Sequence, residues 1–302
     1  MATLAKSNLF PEKLATEFFS LVKGKSSLAK LANAEPLPFV GKDIFTFNFS
    51  NKLSIVGESA NKPAGDAAVT AVKMVPVKVE YQMRVSDEFM HASEESQLNT
   101  LGQFADGFSK VLAEGFDVMA MHGLNPADNT ASQLIGSNSF DGKVTTNVVA
   151  YDASTPDVNI NAAISAIENG GYSATGIAMS PAMRGAIGGL TTTNGWKYPD
   201  FNFGAVPASL GQMGLDVNKS VAIHAATGDT DHAILGDFSA FKWGIAKEIP
   251  MKVIEYGDPD GNGDLQRKNE VVIRAEAYIG WAIMDANAFA IVSDEYVAPD
   301  AT

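Results

Sequence analysis

Eleven residues of strict alternation, Val75 to Val85, constrain this chain more than any other feature. Val75, Val77, Val79, Tyr81, Met83 and Val85 alternate with Pro76, Lys78, Glu80, Gln82 and Arg84, the pattern of a long half-buried strand. Phe45, Phe47 and Phe49 alternate in the same way with Thr46 and Asn48. Between the two runs lies Val56-Gly-Glu-Ser-Ala-Asn-Lys-Pro-Ala-Gly-Asp66, rich in turn formers. The spacing predicts a two-stranded ribbon with arms of about ten residues, roughly 35 Å long. A lone ribbon is marginal in water, so it must lie on a neighbour, and that neighbour can be another chain.

A second element has the same difficulty. Pro11 opens a short helical pattern with Leu14, Phe18, Leu21 and Val22 on one side, ending near Gly24. A helix this short is unstable alone and must dock, yet its own segment offers no partner. Seven lysines and four acids give the first 52 residues a charge of +3, against −13 for the whole chain. A mildly basic arm on an acidic body suits either contact with an anion or a solvated helix.

Residues 94–122 read as one long helix. Leu98, Leu101, Phe104, Phe108, Val111, Leu112 and Met119 recur at three and four, Ser93 is placed to cap it and Gly123 to end it. Gly102, Gly107 and Gly115 each weaken such a helix by about 1 kcal/mol. Either another backbone packs closely there or the helix tolerates them. From Leu124 to about residue 245 the pattern is mixed. A helix runs from Thr155-Pro-Asp to Gly170-Gly171, the strand-like Gly176–Met179 follows, and a helix capped by Ser180-Pro181 ends at Gly188-Gly189. After a strand near Met251–Tyr256 and a turn at Asp258–Asp264 comes another long alternating strand. Its apolar face is Val271, Ile273, Ala275, Ala277, Ile279, Trp281 and Ile283. The fold class is α+β.

The chain is 46% hydrophobic and 19% charged, so it can bury a core, which excludes disorder as a whole. It contains no cysteine, which removes disulfides, thiolate metal sites and cysteine nucleophiles. No apolar run is long enough to cross a membrane, and the first residues lack a signal pattern, which reads as a soluble protein. The negative charge argues against a nucleic-acid-binding surface overall. Phosphate-binding glycine loops and the G-x-S-x-G elbow are absent, so no residue constellation supports an enzyme. Asp258-Pro-Asp-Gly-Asn-Gly-Asp264 resembles the first half of a calcium loop, with Asp258, Asp260 and Asn262 as weak metal candidates. The bidentate acid is missing at its twelfth position, and a hairpin turn explains the same letters. His91, His122, His224 and His232 lack ligand spacing and read as structural. Trp196, Trp243 and Trp281 read as core or interface aromatics.

The order of elements is a basic arm, a long ribbon, a long glycine-bearing helix, a mixed α/β lobe and a closing β-hairpin. With Glu58-Ser-Ala-Asn-Lys-Pro63 at the ribbon tip, it resembles the major capsid proteins of tailed bacteriophages, whose fold encapsulins share. Further matches are Val77–Arg84 running into Ser86-Asp87-Glu88, and Leu112-Ala-Glu-Gly-Phe-Asp-Val-Met-Ala-Met-His-Gly123. Thr175-Gly-Ile-Ala-Met-Ser-Pro181 and Arg274-Ala-Glu276 add two more. The resemblance spans about Phe10 to Val292. It implies a phage major capsid fold: an N-arm at 1–42, an extended β-hairpin E-loop at 43–82 and a P-domain with a long spine helix at 83–123. A mixed α/β A-domain follows at 124–245, then the P-domain β-hairpin at 246–279, and the end of the last strand with an A-domain tail at 280–302.

The resemblance also implies function. The chain would self-assemble as hexamers and pentamers into an icosahedral shell around double-stranded DNA; an encapsulin-type compartment enclosing cargo enzymes is the alternative. In some members a ribbon-tip lysine forms an isopeptide bond with a neighbouring subunit's asparagine, with a glutamate as proton acceptor. The matching residues here are Lys62, Asn269 and Glu276. Asn269 and Glu276 stand an odd number apart, so one straight strand turns them to opposite faces, and they cooperate only across subunits or around a bulge. The expected partners are other copies of the chain, a scaffolding protein, a portal, decoration proteins and, weakly, packaged DNA. A long N-terminal scaffolding segment is missing, so the scaffold is separate or already removed, and Met1 favours the former. No cofactor is expected, and the location is the virion, assembled in the host cytoplasm.

Overall fold

The computed structural model describes residues 25–49, 55, 56, 58, 61, 67–225, 230–245 and 251–294. The helix expected near Pro11–Gly24 and the ribbon tip at Lys62 lie outside them. A short helix, α1 (Ser27–Leu31), is followed by strands β1 (Lys42–Phe49), β2 (Ala67–Met74) and β3 (Val77–Ser86). The long helix α2 spans Glu94–His122. Then come α3 (Phe140–Lys143), β4 (Val148–Ala150), α4 (Pro156–Asn169), β5 (Gly176–Met179), α5 (Pro181–Gly189), β6 (Ser209–Leu210) and β7 (Met213–Val217). The chain ends with β8 (Asp231–Gly236), β9 (Phe241–Ile245), β10 (Met251–Ile254), α6 (Leu265–Lys268), β11 (Glu270–Ile283) and β12 (Phe289–Ser293).

Strand pairing corrects the expected ribbon. Phe45 and its neighbours in β1 pair with β2, from Lys42 opposite Met74 to Phe49 opposite Ala67. The long alternating run is β3, and it pairs instead with β11, Val77 opposite Ile279 and Ser86 opposite Glu270. The apolar phases of β3 and β11 coincide, so pairing them lays Val77, Val79, Met83 and Val85 beside Ile273, Ala275, Ala277 and Ile279 in one core. β2 alternates weakly, which hid it, and Pro76 separates it from β3. β11 also pairs with β9 and β10, making a four-stranded sheet.

α2 lies on that sheet. Ser93 caps it by accepting from the Ser96 N–H, and Gly123 ends it in the left-handed region at φ 69°. Leu101, Phe104, Phe108, Leu112, Phe116 and Met119 are all buried, whereas Val111, expected on this face, is half exposed. The Phe116 ring sits 5.3 Å from Trp243 and 5.9 Å from Trp281, centroid to centroid. Of the three interior glycines only Gly115 is close to anything: a Cβ there would meet Pro126 at 3.3 Å, and none would touch another atom at Gly102 or Gly107.

The second core belongs to a six-stranded sheet in the order β6–β7–β5–β8–β12–β4. Ile160 and Ile167 of α4 and Met183 and Ile187 of α5 pack against Ile177, Leu235 and Val292 of its strands. Both helices begin with proline at the first turn, and Ser180 caps α5 through the Met183 N–H, as their sequences predict.

Candidate functional site

The ribbon is fixed at its root and bare along its length. Met74 is fully buried with Leu37 and Ala282. Further out Phe45 is 62% exposed and Val69 56%. Phe39, Val40, Ile55 and Val75, in or flanking the same stretch of sequence, are also exposed. They suit contact with another protein.

The described part of the arm is docked on its own chain. From Ser26 onward it is built into the body, and the anchor is Asp117, a fully buried acid in α2. Asp117 Oδ1 accepts from Ser26 Oγ at 2.5 Å, and Oδ2 accepts from the Ser27 N–H at 2.9 Å and from Asn218 Nδ2 at 3.0 Å. The carboxylate thus occupies the N-terminus of α1, where unpaired N–H groups need an acceptor. Burial pushes the Asp117 carboxyl up to about 7, against these hydrogen bonds, which pull it down. Beside it Ser27 Oγ donates to Asp216, which Lys30 pairs at 2.6 Å. Leu28 and Ala29 enter the main core, and Trp243 Nε1 donates to the Ala32 carbonyl at 3.1 Å. The sequence signal was available: Asp117 is an acid inside the apolar run Phe116–Met121.

Beyond α1 the arm crosses the sheet over two glycines. Gly244 and Gly280 are opposite each other in β9 and β11. A Cβ on Gly244 would lie 2.3 Å from the Glu35 carbonyl oxygen, and one on Gly280 2.9 Å from Leu37. Glu35 is held by Lys42 at 2.8 Å and Lys242 at 3.2 Å, which lower its pKa.

The loop at Asp258–Asp264 closes on a side chain. Arg84 donates to Asp260, to Asp258 at 3.3 Å, to the Gly263 carbonyl at 2.8 Å and to Glu270 at 2.7 Å. The guanidinium sits where the oxygens of the loop converge and holds the Asp260 carboxyl well below its usual range. Asn262 turns back on Asp260, donating from its backbone and its Nδ2. An arginine thus supplies positive charge to the acids of this loop.

Of the three residues of the cross-link expectation, the structure describes Asn269 and Glu276, and it holds them apart. Lys62 lies outside the described residues. Asn269 ends α6 in the left-handed region at φ 53°, exposed, its carbonyl accepting from the Asp87 N–H at 2.9 Å. Glu276 is six residues further along β11 than Glu270, about 20 Å at strand spacing. It is buried and pairs with Lys78 at 3.0 Å, and this bond holds its carboxyl below the usual range.

The histidines read as structural conceal a cluster. His122, Asp141 and Asp231 bring one ligand atom each within 4.8 Å of one another, from the end of α2, the first turn of α3 and the start of β8. Sequence spacing could not show it, because the residues are 19 and 109 positions from His122 and only the fold joins them. Burial opposes charge on the His122 ring, but the carboxylates and the Ser220 carbonyl prevail and raise its pKa. Burial, reinforced by Asp141, drives Asp231 far above the carboxylate range.

This architecture is that of a known class of shell protein. The phage capsid family model matches residues 6–294, and the chain belongs to that family. A solved structure from Mycobacterium phage Ogopogo is 33% identical, with 90% of this chain and 92% of that chain covered, at a TM-score of 0.75. One from Gordonia phage Cozz is 24% identical, covering 89% and 86%, at 0.73. The capsid of an empty GTA particle, 16% identical over 90% of each chain, shares the fold at 0.60. No curated protein matches the chain. The chain is a major capsid protein, a structural component of the virion, and these matches favour the phage shell over an encapsulin-type compartment.

Proposed function

We propose that this chain builds an icosahedral shell of hexamers and pentamers around double-stranded phage DNA, assembled in the host cytoplasm with the help of a scaffolding protein. The observation that carries this is the ribbon: its root is clamped in the subunit while Phe45 and Val69 face solvent in the isolated chain. Copies of the same subunit supply the missing cover, through contacts that close by symmetry. Portal and decoration proteins would join the shell, and the basic first 52 residues suit weak contact with packaged DNA. Negative-stain electron microscopy of the expressed protein, with and without a co-expressed scaffold, tests this. Closed shells of uniform diameter are expected, and a species no larger than a dimer under both conditions overturns it.

A further inference from the structure

The ring of His122 is oriented by a bond that leaves no choice of tautomer. Its Nε2 lies 2.9 Å from the Ser220 carbonyl, which can only accept, so Nε2 carries a proton. In the neutral ring Nδ1 then offers a lone pair, and it faces Asp141 Oδ2 at 2.8 Å and Asp231 Oδ2 at 3.6 Å. Three atoms with lone pairs converge on one point, an arrangement that calls for either a shared proton or a bound cation among them.

A proton on Nδ1 serves only one of the two carboxylates. It reaches Asp141 Oδ2, but Asp231 Oδ2 is beyond hydrogen-bond range. That oxygen is one of three buried side-chain polar atoms without a hydrogen-bond partner among the described residues, the others being Ser220 Oγ and His232 Nδ1. Asp231 is only 6% exposed, so water does not readily make up the deficit.

We propose that His122 Nδ1, Asp141 Oδ2 and Asp231 Oδ2 bind a divalent transition-metal cation, zinc or manganese. One imidazole nitrogen with two carboxylate oxygens suits these metals, whereas calcium seeks six to eight oxygens and magnesium a nearly all-oxygen octahedron. Tetrahedral ligands about 2.1 Å from zinc stand roughly 3.4 Å apart; His122 Nδ1 and Asp231 Oδ2, at 3.6 Å, already meet this, and the exposed Asp141 would draw back from 2.8 Å to admit the ion. The Ser220 carbonyl on Nε2–H is the outer partner that metal-bound histidines use to fix their ring. The Asp141 side chain is 41% exposed, which gives the ion a route in and leaves a coordination position for water. Bound there, the cation would staple the end of the spine helix α2 to α3 and to strand β8 of the six-stranded sheet. This site does not depend on the shell reading, since it lies within one subunit.

Metal content and melting temperature of the untagged full-length protein test the proposal. After EDTA treatment and dialysis against zinc or manganese, about one ion per chain should remain and the melting temperature should rise. Asp141→Asn, at the exposed position, should keep the fold while weakening binding at least tenfold, and His122→Gln should abolish it. Less than about a tenth of an ion per chain with either metal overturns the site, as does binding that survives Asp141→Asn unchanged. A melting temperature that follows pH alone and ignores both metals would assign the cluster to a shared proton, and equally overturns it.

Discussion

Gly244 and Gly280 are directly paired across β9 and β11, and the arm from Glu35 to Leu37 crosses over that pair because neither residue has a side chain. Gly244→Ala would set a methyl group 2.3 Å from the Glu35 carbonyl, a backbone atom that cannot swing aside. The expected outcome is a loss of about 1–3 kcal/mol, typical of overpacking, with residues 33–41 released. Urea unfolding measures the first and limited proteolysis of the arm the second. An unchanged midpoint and cleavage pattern would show that the arm is seated elsewhere in solution.

Asp117 makes the arm's attachment depend on pH. Its carboxyl titrates near 7 in the folded chain, against 3.8 when unperturbed. Between these values the native state keeps a proton that the unfolded chain has released, so stability from this group is complete at low pH and declines as pH rises through 7. Asp117→Asn should remove that decline. It should also cost about 1–3 kcal/mol, because one acceptor oxygen becomes an NH2 group, facing the Ser26 hydroxyl at the Oδ1 position or the donors of Ser27 and Asn218 at the Oδ2 position. Melting curves from pH 4 to 8 on both proteins check the two effects.

Arg84→Met should leave Asp258, Asp260 and Glu270 as unpaired like charges and lower the melting temperature at neutral pH. The acid limb distinguishes this from loss of packing. Asp260 is held below 3.8 by Arg84, so its contribution is present above that value and is lost as pH falls beneath it. The wild type should therefore lose more stability than the variant on acidification below about pH 4. Parallel acid limbs would mean that the network contributes nothing.

Phe45→Ser should barely change the stability of the isolated subunit, since the ring is mostly in water there. It should sharply reduce the yield of closed particles. Light scattering during assembly, beside a melting curve of the unassembled protein, separates the two. A variant that assembles normally would remove the ribbon from the interface.

Mature particles boiled in denaturant should run as one band near 31.9 kDa. Glu276 is bound to Lys78 and its carboxyl is correspondingly a weak base, poorly placed to take a proton from an attacking lysine. Ladders of higher mass that vanish in Lys62→Arg would reverse this expectation.

Periodicity and caps made much of the fold legible. Ser93 and Gly123 bracket α2, and the apolar side of β11 from Val271 to Ile283 is buried at each alternate position. What escaped was everything that depends on distant residues meeting. β2 alternates too weakly to announce itself, and the stronger alternation of β3 points to the wrong second strand for the ribbon. Asp258, Asp260 and Asn262 read as a turn that resembles half a calcium loop, and their arginine partner stayed hidden because Arg84 stands 174 residues before the first of them. His122 looked inert for the same reason. Asp117 is the exception, a buried acid visible in its own neighbourhood as a break in an apolar face.

Synthesis runs from the N-terminus, so Glu35 and Leu37 are made more than two hundred residues before Gly244 and Gly280. A growing polypeptide therefore has nowhere to rest this segment until almost the whole chain has been translated. Incomplete products would carry a loose, greasy leading end and lack the surface a finished copy offers.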